Sequence, residues 1–166
     1  NEKFWECVAA WNEWKAEHNV VFHRTEITVW NDPEEGLGYA GTFDLMMEVD
    51  GKLYLVDIKT SRGLYSSTWM QLSALYSAKH LLELGPDGKD QMIEGWQLPI
   101  EGVAVLHVRP SDTTWDGRPM APFCKWVELP TEKDKTFLDS VALFFRGFMS
   151  LRTYAEAARE WKGLLK

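Results

Sequence analysis

The chain is 166 residues long with a formal charge of -7; the length suits one domain with a substantial core, and 45% apolar with 26% charged residues is an ordinary globular composition. No apolar run approaches the ~20 residues that cross a bilayer, which excludes a membrane-spanning helix. The acidic balance excludes attachment to nucleic acid through a generally basic surface, so a DNA role needs a local basic groove or metal ions that offset the carboxylates.

Residues 2–18 read as a helix, with Phe4, Val8, Trp11 and Trp14 or Lys15 near helical spacing. This start is acidic and carries no secretory pattern; Asn1 in place of Met is what an excised domain or processed chain shows. Residues 20–30, VVFHRTEITVW, are rich in β-branched and aromatic types and read as a strand. NDPEEGLG is a turn-rich loop. Strands over 38–49 and 52–59 flank Asp50-Gly51, a dipeptide suited to a tight hairpin turn. SSTWMQLSALYSAKHLLELGP reads as a helix, capped by Ser66, Ser67 or Thr68 and ended by Gly85 and Pro86. Residues 102–108 form a short apolar strand, 109–122 a loop and 123–129 a last strand. Thr131 with Asp134 resembles a capping box for a C-terminal helix whose apolar face runs from Phe137 to Leu151 and which Gly147 bends or divides. The nine tryptophans read as packing residues rather than base-stacking platforms. The hairpin requires antiparallel pairing and the strand–helix–strand passage favours a parallel partner. The fold expected is α/β, a mixed β-sheet flanked by helices, in a single domain.

Successive strand side chains alternate faces, so in LVDIKTS the residues Leu53, Leu55, Asp57 and Lys59 share one face while Tyr54, Val56 and Ile58 share the other. A hairpin centred on Asp50-Gly51 pairs residue 49 with 52 and sets Asp44, in GTFD, opposite Asp57. Like charges so placed repel unless a cation lies between them. Lys59 is one candidate and a divalent metal the other; two carboxylates with water suit Mg²⁺ or Mn²⁺ rather than Zn²⁺. Glu26 on the preceding strand adds a third carboxylate, equally readable as a salt-bridge partner. Gln71 on the following helix is placed for a phosphate or metal-bound water, or is a plain polar position; Tyr76 reads as a core aromatic.

GTFD, a short hairpin, DIKTS and a following helix with QL resemble the PD-(D/E)XK nuclease superfamily, specifically its RecB-like exonuclease branch and most nearly its phage-encoded members. The resemblance covers roughly residues 20–84. It implies a restriction-endonuclease-like core and a Mg²⁺- or Mn²⁺-dependent deoxyribonuclease, an exonuclease rather than an endonuclease, serving DNA recombination, repair or processing. Asp44, Asp57 and the Ile58 main-chain carbonyl would be metal ligands, Lys59 the catalytic lysine and Gln71 a supporting residue; Glu26 matches the pattern less closely. Ser61, Arg62 and Tyr65 follow the motif and would contact DNA, or form a loop without that role. DNA is the implied partner, with a recombination or replication protein as a further one, in a cytoplasm that would be a bacterial host's if the gene is a phage's. Cys7 and Cys124 cannot supply the four cysteines of the branch members with an iron–sulfur cluster, and they suit a reducing compartment. The branch's histidine, often in a G-x-x-x-H context, is matched by neither His18 nor His23, so it would lie upstream of this chain or be missing. Tyr76 falls five residues after Gln71 where the branch often has four. Two alternatives stand beside the enzyme: a nuclease-fold domain that binds DNA or scaffolds without cutting, and an unrelated paired-carboxylate hydrolase acting, for example, on glycosides, for which a lysine two residues after the aspartate has no obvious use.

Overall fold

The computed structural model describes residues 1–35, 38–84, 90–97, 99–131 and 133–164. Helix α1 (Glu2–Ala16) is followed by strand β1 (Val20–Asn31), a 3₁₀ turn (Pro33–Glu35), and strands β2 (Tyr39–Val49) and β3 (Lys52–Lys59). Then come helix α2 (Ser66–Tyr76), strands β4 (His80–Leu84), β5 (Asp90–Glu94), β6 (Gly102–Arg109), β7 (Asp112–Thr113), β8 (Pro119–Met120) and β9 (Phe123–Glu128), and helix α3 (Phe137–Leu164). The described residues form a seven-stranded mixed sheet in the order β5-β4-β1-β2-β3-β6-β9, plus a separate β7-β8 ribbon. Only the β3–β6 pairing is parallel.

The sheet is covered on both faces. Leu55, Val103 and Val105 pack with Leu72 and Leu75 of α2 and Val141 of α3. Tyr54, Val56, Ala104 and Leu106 pack with Trp14 of α1. The alternation along β3 is therefore as expected, and β6, buried along its whole length, is the near-continuous apolar run a doubly covered parallel strand requires. Asp50 and Gly51 take φ of 52° and 85°, the paired positive values of a tight hairpin turn. The ladder runs from Val49↔Lys52 to Leu45↔Val56, the register read from the turn.

Four expectations need correction. The helix from Ser66 ends at Tyr76, and His80–Leu84 is a strand against β1; Gly85 and Pro86 lie outside the described residues. Tyr65, not a serine or threonine, occupies the N-cap of α2, without a side-chain cap bond. The capping box of α3 is Thr136–Asp139 rather than Thr131–Asp134: the Thr136 N–H donates to Asp139 Oδ2 (2.8 Å) and the Asp139 N–H to Thr136 Oγ1 (3.2 Å). Gly147 does not divide α3. It lets α3 approach α2, since a Cβ there would lie 3.0 Å from Met70 Cε.

Candidate active site

The β2–β3 ladder stops one pair short of Asp44 and Asp57. Continuing the register would set Phe43 opposite Ile58. The Ile58 N–H instead donates to Asp44 Oδ2 at 2.6 Å, so the carboxylate takes the place of a main-chain partner where the strands part. Gly41, at the head of GTFD, has a packing reason: a Cβ there would lie 2.4 Å from Leu75 Cδ2, so the missing side chain seats α2 on β2.

Asp57 is 4% exposed, among the few buried charged residues described. The Lys59 ammonium lies 2.5 Å from its Oδ2. That contact pairs the ammonium with the buried carboxylate oxygen. Burial first, then the negative charge of Asp44, push the Asp57 carboxyl above its ordinary range, while Lys59 opposes both. Asp44 is thus close enough to act on Asp57, and Asp57 and Lys59 meet at the C-terminal end of β3.

These donors fit a hard divalent cation. Asp57 offers a buried carboxylate with its Oδ2 against Lys59, Asp44 keeps a second oxygen beyond the one on the Ile58 N–H, and oxygen-only ligands are what Mg²⁺ and Mn²⁺ select. Ile58 lies between Asp57 and Lys59, so its carbonyl is at the same strand end. Glu26 does not join them: no three His, Cys, Asp or Glu side chains among the described residues are grouped for a metal. It takes a left-handed φ of 52° on β1 and lines a cleft with Leu82 and Glu83 of β4. Arg24 pairs with Glu83 (2.6 Å) rather than Glu26. A bulge between Phe22 and Arg24, with the positive φ at Glu26, is why simple alternation along β1 does not place this carboxylate.

On α2, Leu72 and Leu75 pack inward as expected, and Tyr76 is a core aromatic edge-on to Trp96 and Phe137. Gln71 is exposed, and the described residues give it no hydrogen-bond partner. In the connecting loop the Ser61 hydroxyl donates to the Gly63 carbonyl (2.8 Å), Arg62 lies 3.7 Å from Asp112, and Tyr65 is exposed.

Parallel pairing adds residues that the linear motif does not contain. Lys59 pairs with His107 of β6, and His107 with Lys125 of β9. Their neighbours Leu55, Val105 and Val127 all belong to the α2–α3 side, so Lys59, His107 and Lys125 form a row on one face. His107 Nε2–H donates to the Ser61 carbonyl (2.7 Å) and the ring stands edge-on to Phe123, which ties the loop after Lys59 to β6. The alternation Val103, Val105, His107, Arg109 was the available signal; which residue faces Lys59 depends on the strand offset.

Among the described residues no helix is long and apolar enough to cross a membrane. Cys7 and Cys124 are both free and pack on the α1 side, where burial pushes the Cys124 thiol up to about 12. No protein-family model matches the chain, and comparison with curated proteins finds no match.

Proposed function

We propose that this chain is a Mg²⁺- or Mn²⁺-dependent deoxyribonuclease, an exonuclease rather than an endonuclease, acting in phage or bacterial DNA recombination, repair or processing. The observation that carries the reading is the strand end at which Asp44 and the buried Asp57 face one another electrostatically with Lys59 against Asp57 Oδ2. The resemblance of GTFD and DIKTS to RecB-like nucleases supports it. Asp44, Asp57 and the Ile58 carbonyl would hold the cation, which when bound supplies an acidified water and charge stabilisation at phosphorus. Asp44 keeps its place through the Ile58 N–H. Asp57 is held by burial, which also keeps its carboxylate from spreading its charge into water. Lys59, with its side chain 28% exposed, reaches from Asp57 towards solvent and can orient a water or steady a phosphate oxygen. Lys125, in register with Lys59 through the buried His107, and Arg62 in the adjoining loop would supply the local positive charge that an acidic chain needs in order to hold a phosphate backbone.

The second reading, a nuclease-fold domain that binds DNA or scaffolds without cutting, is favoured by one observation. No third His, Cys, Asp or Glu among the described residues completes a metal group. Incubation with end-labelled linear and circular DNA in Mg²⁺, Mn²⁺ or EDTA separates the two. The nuclease reading expects linear DNA to be degraded from its ends only with a divalent cation; binding of DNA without cleavage under any metal supports the second reading instead.

A further inference from the structure

The β7-β8 ribbon presents one side chain in an unusual way. Trp115, at its tip, is 98% exposed, although a tryptophan ordinarily buries most of its surface. The turn that carries it is tightly held. The Thr114 N–H donates to the Arg118 carbonyl (2.8 Å) and the Gly117 N–H to the Thr114 carbonyl (3.0 Å), with Gly117 at φ 82°. The Arg118 N–H donates to Thr114 Oγ1 (3.0 Å), and Asp116 binds both the Thr114 hydroxyl (2.5 Å) and the Arg118 guanidinium (2.8 Å). The backbone of the turn is committed to this shape and Asp116 pairs with Arg118, while the indole stands in water as the one large apolar side chain of the tip.

The ribbon is also anchored beside the candidate active site. Because β6 runs parallel to β3, the Arg109 end of β6 lies at the same end of the strands as Lys59. Asp112, the first residue of β7, accepts from the buried Arg109 (2.5 Å) and lies 3.7 Å from Arg62 in the loop that follows Lys59. Behind it, the Ser111 N–H donates to Glu6 of α1 (2.7 Å). Trp115 lies eight residues beyond His107. Extended chain of that length spans at most ~29 Å, less than one turn of duplex, ~34 Å. The ribbon tip therefore lies within one duplex turn of His107, the partner of Lys59 in the β3–β6 ladder.

We infer that Trp115 is a base-stacking residue that takes an unpaired nucleobase of the DNA strand entering the Asp44–Asp57 site. This rests on the nuclease reading, which supplies the strand. An exposed aromatic face on a well-held turn suits an unstacked base because every base has a π-face, so the contact would strengthen binding without selecting sequence.

The test is fluorescence anisotropy with a fluorescein-labelled single-stranded oligonucleotide, in the Asp57→Asn background so that the probe is not consumed. Adding Trp115→Ala should weaken binding about 5- to 150-fold. Trp115→Phe should retain most of the affinity. An oligonucleotide of the same length made wholly of abasic sites should bind both proteins weakly and equally. If Asp57→Asn binds the base-bearing probe and Trp115→Ala leaves that affinity unchanged, the stacking role is overturned while the nuclease reading stands, and the indole is left as a contact for a protein partner. If the background variant and the unaltered chain both fail to bind any DNA, the stacking role and the nuclease reading fall together.

Discussion

Asp57 carries a charge where the fold disfavours one, since burial and the nearby Asp44 both raise its carboxyl and only Lys59 opposes them. Replacing it by Asn removes that cost and leaves Lys59, which already reaches solvent, free to be hydrated. In EDTA at pH 7, Asp57→Asn should therefore melt about 2–4 °C higher than the unaltered chain, the shift that ~1 kcal/mol produces in a domain of this size. A lower melting temperature would show that the carboxylate supports the fold. Asp44 differs because it also accepts the Ile58 N–H. Asp44→Asn can keep that bond through its amide oxygen, so it should melt close to the unaltered chain and lose metal affinity. Asp44→Ala should lose both, with a stability cost of ~1–3 kcal/mol for an orphaned donor, measured by denaturant unfolding. The register leading to these aspartates was legible because a two-residue turn fixes later pairs by counting, although the ladder ends one pair before them. His107 was not, since the offset of a parallel pair depends on the whole crossover between β3 and β6. Trp115 was hidden by its own residue type, which predicts burial.

Among the elements, Gly41 and Thr136 each support an account that can be checked. Gly41→Ala would drive a methyl group to 2.4 Å from the buried Leu75 Cδ2 and should destabilise by ~1–3 kcal/mol through overpacking, read as a lower denaturant midpoint. Unchanged stability would mean that α2 is seated loosely. At the start of α3, the backbone and hydroxyl hydrogen bonds from Thr136 hold the Asp139 carboxyl below its ordinary range. A lowered folded pKa contributes stability that is present above the unfolded value near 4 and is lost as pH falls through the folded one. Thr136→Ala should lower the melting temperature by about 2–4 °C at pH 7, with the gap narrowing in acid as the hydroxyl loses its charged acceptor; an unchanged melting temperature at pH 7 contradicts the capping box. The hairpin and β6 were readable from turn chemistry and an apolar run. The segment SAKHLLEL was misread because its Ala, Lys, Leu and Glu favour helix, yet His80–Leu84 pairs with the free edge of β1 and β5 adds beyond it. Satisfying the β1 ladder outweighed local propensity, which is weak when tertiary pairing competes.

For the whole molecule, the net charge of -7 does not describe the strand ends around Asp57. Lys59, His107 and Lys125 are aligned by the parallel and antiparallel ladders at the strand ends that hold Asp57. Composition sums over the chain and cannot report a row built from three separate strands. The central claim is that Asp44 and Asp57 hold a divalent cation beside Lys59, which acts on the phosphate rather than on the metal. The most direct test is Mn²⁺ calorimetry combined with cleavage of end-labelled linear DNA on the same samples of unaltered chain, Lys59→Ala and Asp57→Asn. The unaltered chain should titrate and cleave. Lys59→Ala should still titrate but turn over ~100- to 1,000-fold more slowly, the usual cost of losing one electrostatic stabiliser, and Asp57→Asn should scarcely titrate and not cleave. Cleavage retained in both variants, or undiminished in the unaltered chain when EDTA replaces Mn²⁺, would contradict the claim.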